Sequence, residues 1–182
     1  MPRSAPNLEG NVMNDSDARG LIKIPAGEGA AFAVAGATLT WKVRSREAGG
    51  DFCFFEQVLQ PGEGVPLHTH SYPEAFYVLS GTVDFAAAHE TAETTQCGAG
   101  DVILARPHTK HSFYNSGSGP ARMLSISVGA HEAFFDAVEA ADRSEPFAAL
   151  PPAQAMARVA AIGAQIDTHF CIPTDAEQEE PA

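Results

Sequence analysis

GEGVPLHTHSYPEAFYVLSG, residues 62–81, sets two histidines and a glutamate among β-type residues between bounding glycines. A second stretch, GDVILARPHTKHSFYN at residues 100–115, brings a third histidine, His111, to the head of another β-type run. His68 and His70 are two residues apart, so on a strand both imidazoles point to one face. Glu74 follows the SYP turn at the start of EAFYVLSG, where a paired strand brings its carboxylate beside them. His111 arrives from across the sheet. Three neutral imidazoles and a carboxylate suit one divalent transition metal (Fe, Mn, Ni, Co, Cu or Zn), and four protein ligands on a six-coordinate ion leave two positions open for chemistry. Each residue alone is more simply a surface group or a satisfied core group. Facing an apolar interior together and without a metal, they would leave several buried polar groups uncompensated, at about 1–3 kcal/mol each.

Outward from this stretch, β-type runs continue in both directions. Upstream lie LIKIP, AAFAVAG, TLTWKV and DFCFFEQVL; downstream lie DFAAA, DVILAR, HSFYN and ARMLSISVG, all cut by Gly, Pro and Ser clusters such as NSGSGP. That spacing predicts about eight to ten strands with no helix between Leu21 and Gly129, an antiparallel double sheet or barrel. Trp41 and Phe52 read as core residues. After Gly129 the period changes: Ala133, Phe134, Ala137, Val138 and Ala141 mark an amphipathic helix closed by the SEP turn. PPAQAMARVAAIGAQIDTHF opens with prolines suited to a first helical turn and carries Met156, Val159, Ile162 and Ile166 at helical spacing. The organisation predicted is a flexible segment over 1–20, a β-barrel over 21–130, a helical cap over 131–172 and an acidic, solvated tail over 173–182.

With 182 residues, 45% hydrophobic and 19% charged, the chain suits one soluble domain with additions. No window approaches the roughly 18 apolar residues of a membrane span, and the first twenty residues show no apolar signal core, so a cytoplasmic protein that is neither secreted nor bound to a membrane is expected. Eleven basic against 23 acidic residues give a formal charge of −12, which repels phosphate backbones and argues against nucleic acid as a partner. Cys53, Cys97 and Cys171 are widely spaced and form no CxxC pair, so neither a disulfide framework nor a cysteine zinc site is expected.

At the histidine stretches the sequence resembles the cupin superfamily. Gly62, His68, His70, Glu74 and Gly81 meet the whole first motif, G-x5-HxH-x3-E-x6-G. Gly100, His111 and Asn115 meet the second, G-x5-PxG-x2-H-x3-N, although Arg106 and His108 stand where proline and glycine are usual. Over roughly residues 24–172, including the HEAFF helix after the barrel, the chain is similar to small quercetin dioxygenase-like cupins. The resemblance implies an all-β jelly-roll barrel (a double-stranded β-helix) with two C-terminal α-helices, a metal centre of His68, His70, Glu74 and His111, frequent homodimers and, in some relatives, dioxygen-dependent ring cleavage.

Side chains in phase with the ligands, Phe76, Val78 and Phe113, are expected to line an apolar pocket, unless they are plain barrel core. Tyr72, in the loop between ligands, and His108, at the glycine place, are expected at its rim. Glu74 doubles as the candidate proton acceptor for a small-molecule substrate, an aromatic enol or hydroxy-ketone attacked by O2. The alternatives are an isomerase, cyclase or lyase that uses the metal without O2, and a ligand-binding module with no reaction. A homodimer is expected through the apolar strands LIKIP and AAFAVAG, which need a neighbouring edge.

Overall fold

A computed structural model describes residues 20–34, 37–87 and 94–171. The tail expected over 173–182, and the segment expected over 1–20 except Gly20, lie outside the described residues. The strands are β1 (Ala31–Val34), β2 (Ala37–Val43), β3 (Cys53–Leu59), β4 (Gly64–His70), β5 (Glu74–Ser80), β6 (Thr82–Ala87), β7 (Thr94–Gly98), β8 (Val102–Ala105), β9 (His111–Tyr114), β10 (Ala121–Ser127) and β11 (Thr168–Phe170). Two helices, α1 (Gly129–Ser144) and α2 (Pro152–Gln165), follow β10. One sheet has the order β1-β2-β3-β10-β5-β8 and the other β11-β4-β9-β6-β7, with antiparallel pairing throughout. This is the expected double-sheet barrel with two helices after it. No helix among the described residues is long and apolar enough to cross a membrane.

The sheets face each other because their strands alternate. Along β3, Cys53, Phe55, Gln57 and Leu59 point inward, and along β10 Ala121, Met123, Ser125 and Ser127 do so. Two apolar clusters result. One, around Leu59, Phe76, Val78, Val83, Phe85 and Met123, fills the space between the sheets. The other joins Trp41 and Phe55 of the barrel to Phe134, Phe135, Val138 and Val159 of the helices. Burying each such side chain contributes about 1.5–3 kcal/mol, so the helices are held by the same force that closes the barrel.

Four expectations need correction. LIKIP forms no strand; Leu21 and Ile22 are exposed, and Pro25 has no N–H to give a ladder. Of the two strands expected at a dimer edge, only β1 remains. Phe52 is exposed and stacks on Phe54 with ring centroids 6.3 Å apart, because the β3 alternation turns it away from the core. A short 3-10 turn, Ser45–Ala48, interrupts the stretch expected to be free of helix. The second helix stops at Gln165 instead of running on towards Phe170: Asp167 adopts a left-handed φ of 57°, and Thr168–Phe170 then pairs with His70–His68 of β4.

Two features fasten the helices. Gly163 lies against β11 so closely that a Cβ there would stand 2.5 Å from the Thr168 carbonyl oxygen. At the start of α1, the Glu132 carboxylate accepts the Ser45 N–H at 2.6 Å and pairs with Arg44 at 2.8 Å, while Arg44 also pairs with Asp136 and covers the Trp41 ring. Burial opposes the Glu132 charge, but Ser45 and Arg44 outweigh it and hold its pKa below the ordinary 4.5.

Gly163→Ala is expected to cost about 1–3 kcal/mol in urea unfolding, as overpacking against fixed backbone does. For Glu132 the folded pKa lies below the unfolded one. Its stabilisation is therefore present above the ordinary carboxylate value and is lost as pH falls through the folded value. Glu132→Gln should melt lower than the unsubstituted protein at pH 7, with the gap closing towards pH 3. An equal gap at both pH values would show that the charge contributes nothing.

Candidate metal centre

β4 lies between β11 and β9, and its pairing places His68 directly opposite His111. His70, two residues on, shares their inward face. Glu74 opens β5 on the other sheet, so its carboxylate crosses the barrel interior to meet them. The four ligating atoms of His68, His70, Glu74 and His111 lie within 4.8 Å of one another, and all four residues are buried. The structure therefore brings the four residues together in one buried group.

The backbone orients each imidazole. His68 Nδ1 donates to the Pro66 carbonyl at 2.9 Å, His70 Nδ1 to Tyr72 at 2.7 Å and His111 Nδ1 to Thr109 at 3.0 Å. With the proton on Nδ1, each ring turns its Nε2 lone pair away from its own strand, and His70 Nε2 and His111 Nε2 come to 3.3 and 3.6 Å from Glu74 Oε2. This is the outer-shell pattern that fixes tautomer and ring orientation for a metal. His111 Nε2 is buried with no hydrogen-bond partner among the described residues. Separations of this size suit an ion about 2.0–2.2 Å from each donor, so the donor set fits a transition metal.

The electrostatics agree. Burial, reinforced by the neighbouring His111, lowers the His68 pKa to about 3, so its ring is neutral at pH 7. Burial also works against the Glu74 charge, yet the hydrogen bonds from His111 and His70 oppose it, and the carboxyl is held well below its ordinary value. For His111 burial lowers the pKa, and the Glu74 carboxylate more than reverses this. An anionic carboxylate among imidazole nitrogens attracts a cation, by proton or by metal.

The other oxygen of Glu74, Oε1, accepts a hydrogen bond from Ser125 Oγ on β10 and lies 3.6 Å from His131 Nδ1 on α1. Neither residue is anticipated by the sequence motifs. Burial lowers the His131 pKa to about 4, leaving it neutral. Its signal in the sequence was the helical spacing His131, Phe134, Phe135 and Val138, which is the buried face of α1. The alanine-centred face inferred from sequence is rotated from this one, and Ala133 is exposed.

A cavity of about 600 Å³, counting its mouth, opens beside His68 and Glu74 between the barrel and the helices. Phe55, Phe113, Phe134, Phe135 and Phe170 wall it, and Gln57, His131 and Thr168 add polar groups. Of the expected pocket residues, Phe113 lines this cavity. Phe76 and Val78 belong to the core between the sheets, where Phe76 borders a separate hollow that His111 also lines. Tyr72 is buried, not at a rim: its ring stacks on His70 at 4.1 Å and its hydroxyl meets Thr168 Oγ1 at 2.9 Å. His108 is exposed and lines neither cavity. It takes a left-handed φ of 63° and its backbone N–H donates to the His70 carbonyl at 2.7 Å, so His108 supplies by strain the turn that glycine supplies in the usual motif.

Residues 55–127 match the family model of the cupin domain. Among solved structures, the chain is similar to the polyketide cyclase RemF from Streptomyces resistomycificus, with 18% sequence identity over 60% of this chain and 80% of that one, at a TM-score of 0.54. It is also similar to a Cupin 2 conserved barrel domain protein from Salinispora arenicola CNS-205, with 16% identity over 59% of this chain and 88% of that one, at a TM-score of 0.51. At these identities the likeness is one of fold. No curated protein matches the sequence.

Elemental analysis should find one transition metal per chain in freshly purified protein. Glu74→Ala or His111→Ala should weaken metal binding by more than about 100-fold, beyond the range typical of outer-shell changes. At a metal concentration about 100 times Kd, thermal unfolding should show about 2.7 kcal/mol of added stability. Metal-independent melting in the unsubstituted protein would refute the site.

Proposed function

We propose, from a cupin fold built around the buried group His68, His70, Glu74 and His111, that the protein is a metal-dependent dioxygenase of the quercetinase kind. Its substrate would be a small aromatic or enolic molecule bearing few oxygen atoms. The observation that carries this reading is the junction of the four-residue group with a cavity walled by phenylalanine rings, which suits a flat apolar molecule presenting an oxygen at one end. A bound transition metal supplies a Lewis acid for that oxygen and a redox-capable centre for dioxygen.

The residues of the chain do the rest. Glu74, ionised in the folded protein, accepts the enol proton at its carboxylate. Phe55, Phe113, Phe134 and Phe135 hold the ring and exclude water, which protects a reactive carbanion equivalent from protonation. In the overall balance a carbon–carbon bond beside the enol breaks, both atoms of O2 enter the products, and the substrate carbons supply the electrons. No external reductant is required.

A second reading keeps the metal and omits O2: a cyclase, isomerase or lyase in which Glu74 moves the proton within one substrate. The fold likeness to a polyketide cyclase favours keeping it in view. A third, a binding module with no reaction, would use the same cavity without needing the metal. For assembly we propose a homodimer through the β1 edge of the six-stranded sheet, and for compartment the cytoplasm.

The test is oxygen uptake with a panel of flavonols and β-diketones, using protein loaded with Fe, Mn, Ni or Co. Substrate-dependent uptake that Glu74→Ala abolishes is expected. Turnover that persists under argon would support the second reading. Absence of both uptake and anaerobic turnover, with ligand affinity unchanged in His70→Ala, would leave only the binding module.

A further inference from the structure

We infer that His131 is a positioning residue for the metal group: from the first turn of α1 it holds the second oxygen of Glu74, and so couples metal binding to the docking of the helices. The inference rests on reading His68, His70, Glu74 and His111 as metal ligands and not on the reaction proposed for them.

The two oxygens of Glu74 face different neighbours. Oε2 is turned towards His70 Nε2 and His111 Nε2. Oε1 receives the Ser125 hydroxyl and stands 3.6 Å from His131 Nδ1. That nitrogen is buried and has no hydrogen-bond partner among the described residues. A movement of about half an ångström would bring it within hydrogen-bond range of Oε1. His131 lies outside the four-residue ligand group and approaches the carboxylate at the oxygen not turned to His70 and His111, so its place is behind a ligand and not among the ligands.

The ring is held where this role requires it. Phe135 packs against it at 4.7 Å, the edge of Phe55 at 5.8 Å and Tyr72 at 5.5 Å. The next residue along the chain, Glu132, is fastened to Ser45 and Arg44 on the barrel. One turn of helix therefore grips the barrel from outside with one side chain and reaches the metal group with the other. Held by the Ser125 hydroxyl and faced by His131 Nδ1, Oε1 would be kept from coordinating. Glu74 would then hold a metal through a single oxygen, leaving room for a substrate entering the cavity that His131 also lines.

The experiment uses the full chain loaded with Co(II). His131→Leu and His131→Phe both remove the nitrogen, and Phe retains an aromatic ring against Phe55 and Phe135. His131→Asn keeps an amide N–H near the Nδ1 position. The expected result is Co(II) affinity weaker by about 10–100-fold in the Leu and Phe variants, the usual effect of losing an outer-shell partner. Their visible Co(II) spectra should weaken as the freed carboxylate oxygen adds to the coordination number. His131→Asn should recover most of both, and the metal-free Leu or Phe variant should melt no lower than metal-free unsubstituted protein. Unchanged affinity and spectrum in Leu and Phe would overturn the inference, as would an Asn variant as impaired as Leu. Failure of both apolar variants to fold would make the role structural and overturn it too. No Co(II) binding by the unsubstituted protein would remove the metal reading and this inference together, whereas absent oxygen uptake would bear only on the reaction.

Discussion

Three short hydrogen bonds, from the Nδ1 atoms of His68, His70 and His111 to carbonyls two residues away, decide what the centre of this protein can be. Each fixes a tautomer, and the tautomer leaves a lone pair on Nε2. Without them the rings could turn, and the buried Glu74 carboxylate would keep only the Ser125 hydroxyl, at the cost of several kcal/mol that an under-compensated buried charge carries. With them the barrel interior holds an anion ringed by lone pairs, an arrangement that becomes stable when a cation enters. The rest of the fold serves this geometry: β4 and β9 pair His68 with His111, β5 brings Glu74 from the facing sheet, and Tyr72 stacks on His70 while joining β11.

The helices change the character of that centre. Phe134 and Phe135 on α1 and Phe170 on β11 turn what would be an open barrel mouth into an apolar cavity. In such a cavity the effective dielectric falls, so charges close to the metal group act more strongly than they would in water. The cation–π and ion-pair contacts of Arg44, and the Glu132 contact to Ser45, fasten α1 at the end that carries His131. Stability of the cap and composition of the site are therefore linked through two adjacent residues.

Strand periodicity is two, so HxH spacing alone made His68 and His70 legible on one face, and the resemblance of the two motifs joined Glu74 and His111 to them. What was not legible depended on position along the barrel axis. Period two says that Phe76, Val78 and Phe113 point inward, but not whether they meet the cavity or the opposite core, and only Phe113 meets the cavity. His131 was hidden because its helical spacing with Phe134, Phe135 and Val138 marks a buried face but not a partner across it. β11 was hidden because helical spacing through Ile162 and Ile166 runs straight into it, and only the left-handed turn at Asp167 and the pairing with β4 separate the two.

The departure at Arg106, Pro107 and His108 shows how the second motif tolerates change. The turn needs a left-handed residue at 108, whose N–H then reaches the His70 carbonyl, and it needs a tight bend, closed here by the Thr109 N–H to the Arg106 carbonyl. Pro107 pre-sets the φ of the residue before the left-handed one, which is the proline preference of a turn whose third residue has positive φ. The strain of a non-glycine residue there, about 1–3 kcal/mol, persists because surrounding bonds over-determine the turn. The residue whose N–H closes this bend, Thr109, also presents the carbonyl that orients His111. In this chain the ligand geometry depends on the backbone path of the turn, which delivers the Thr109 carbonyl to His111 Nδ1 and the His108 N–H to the His70 carbonyl.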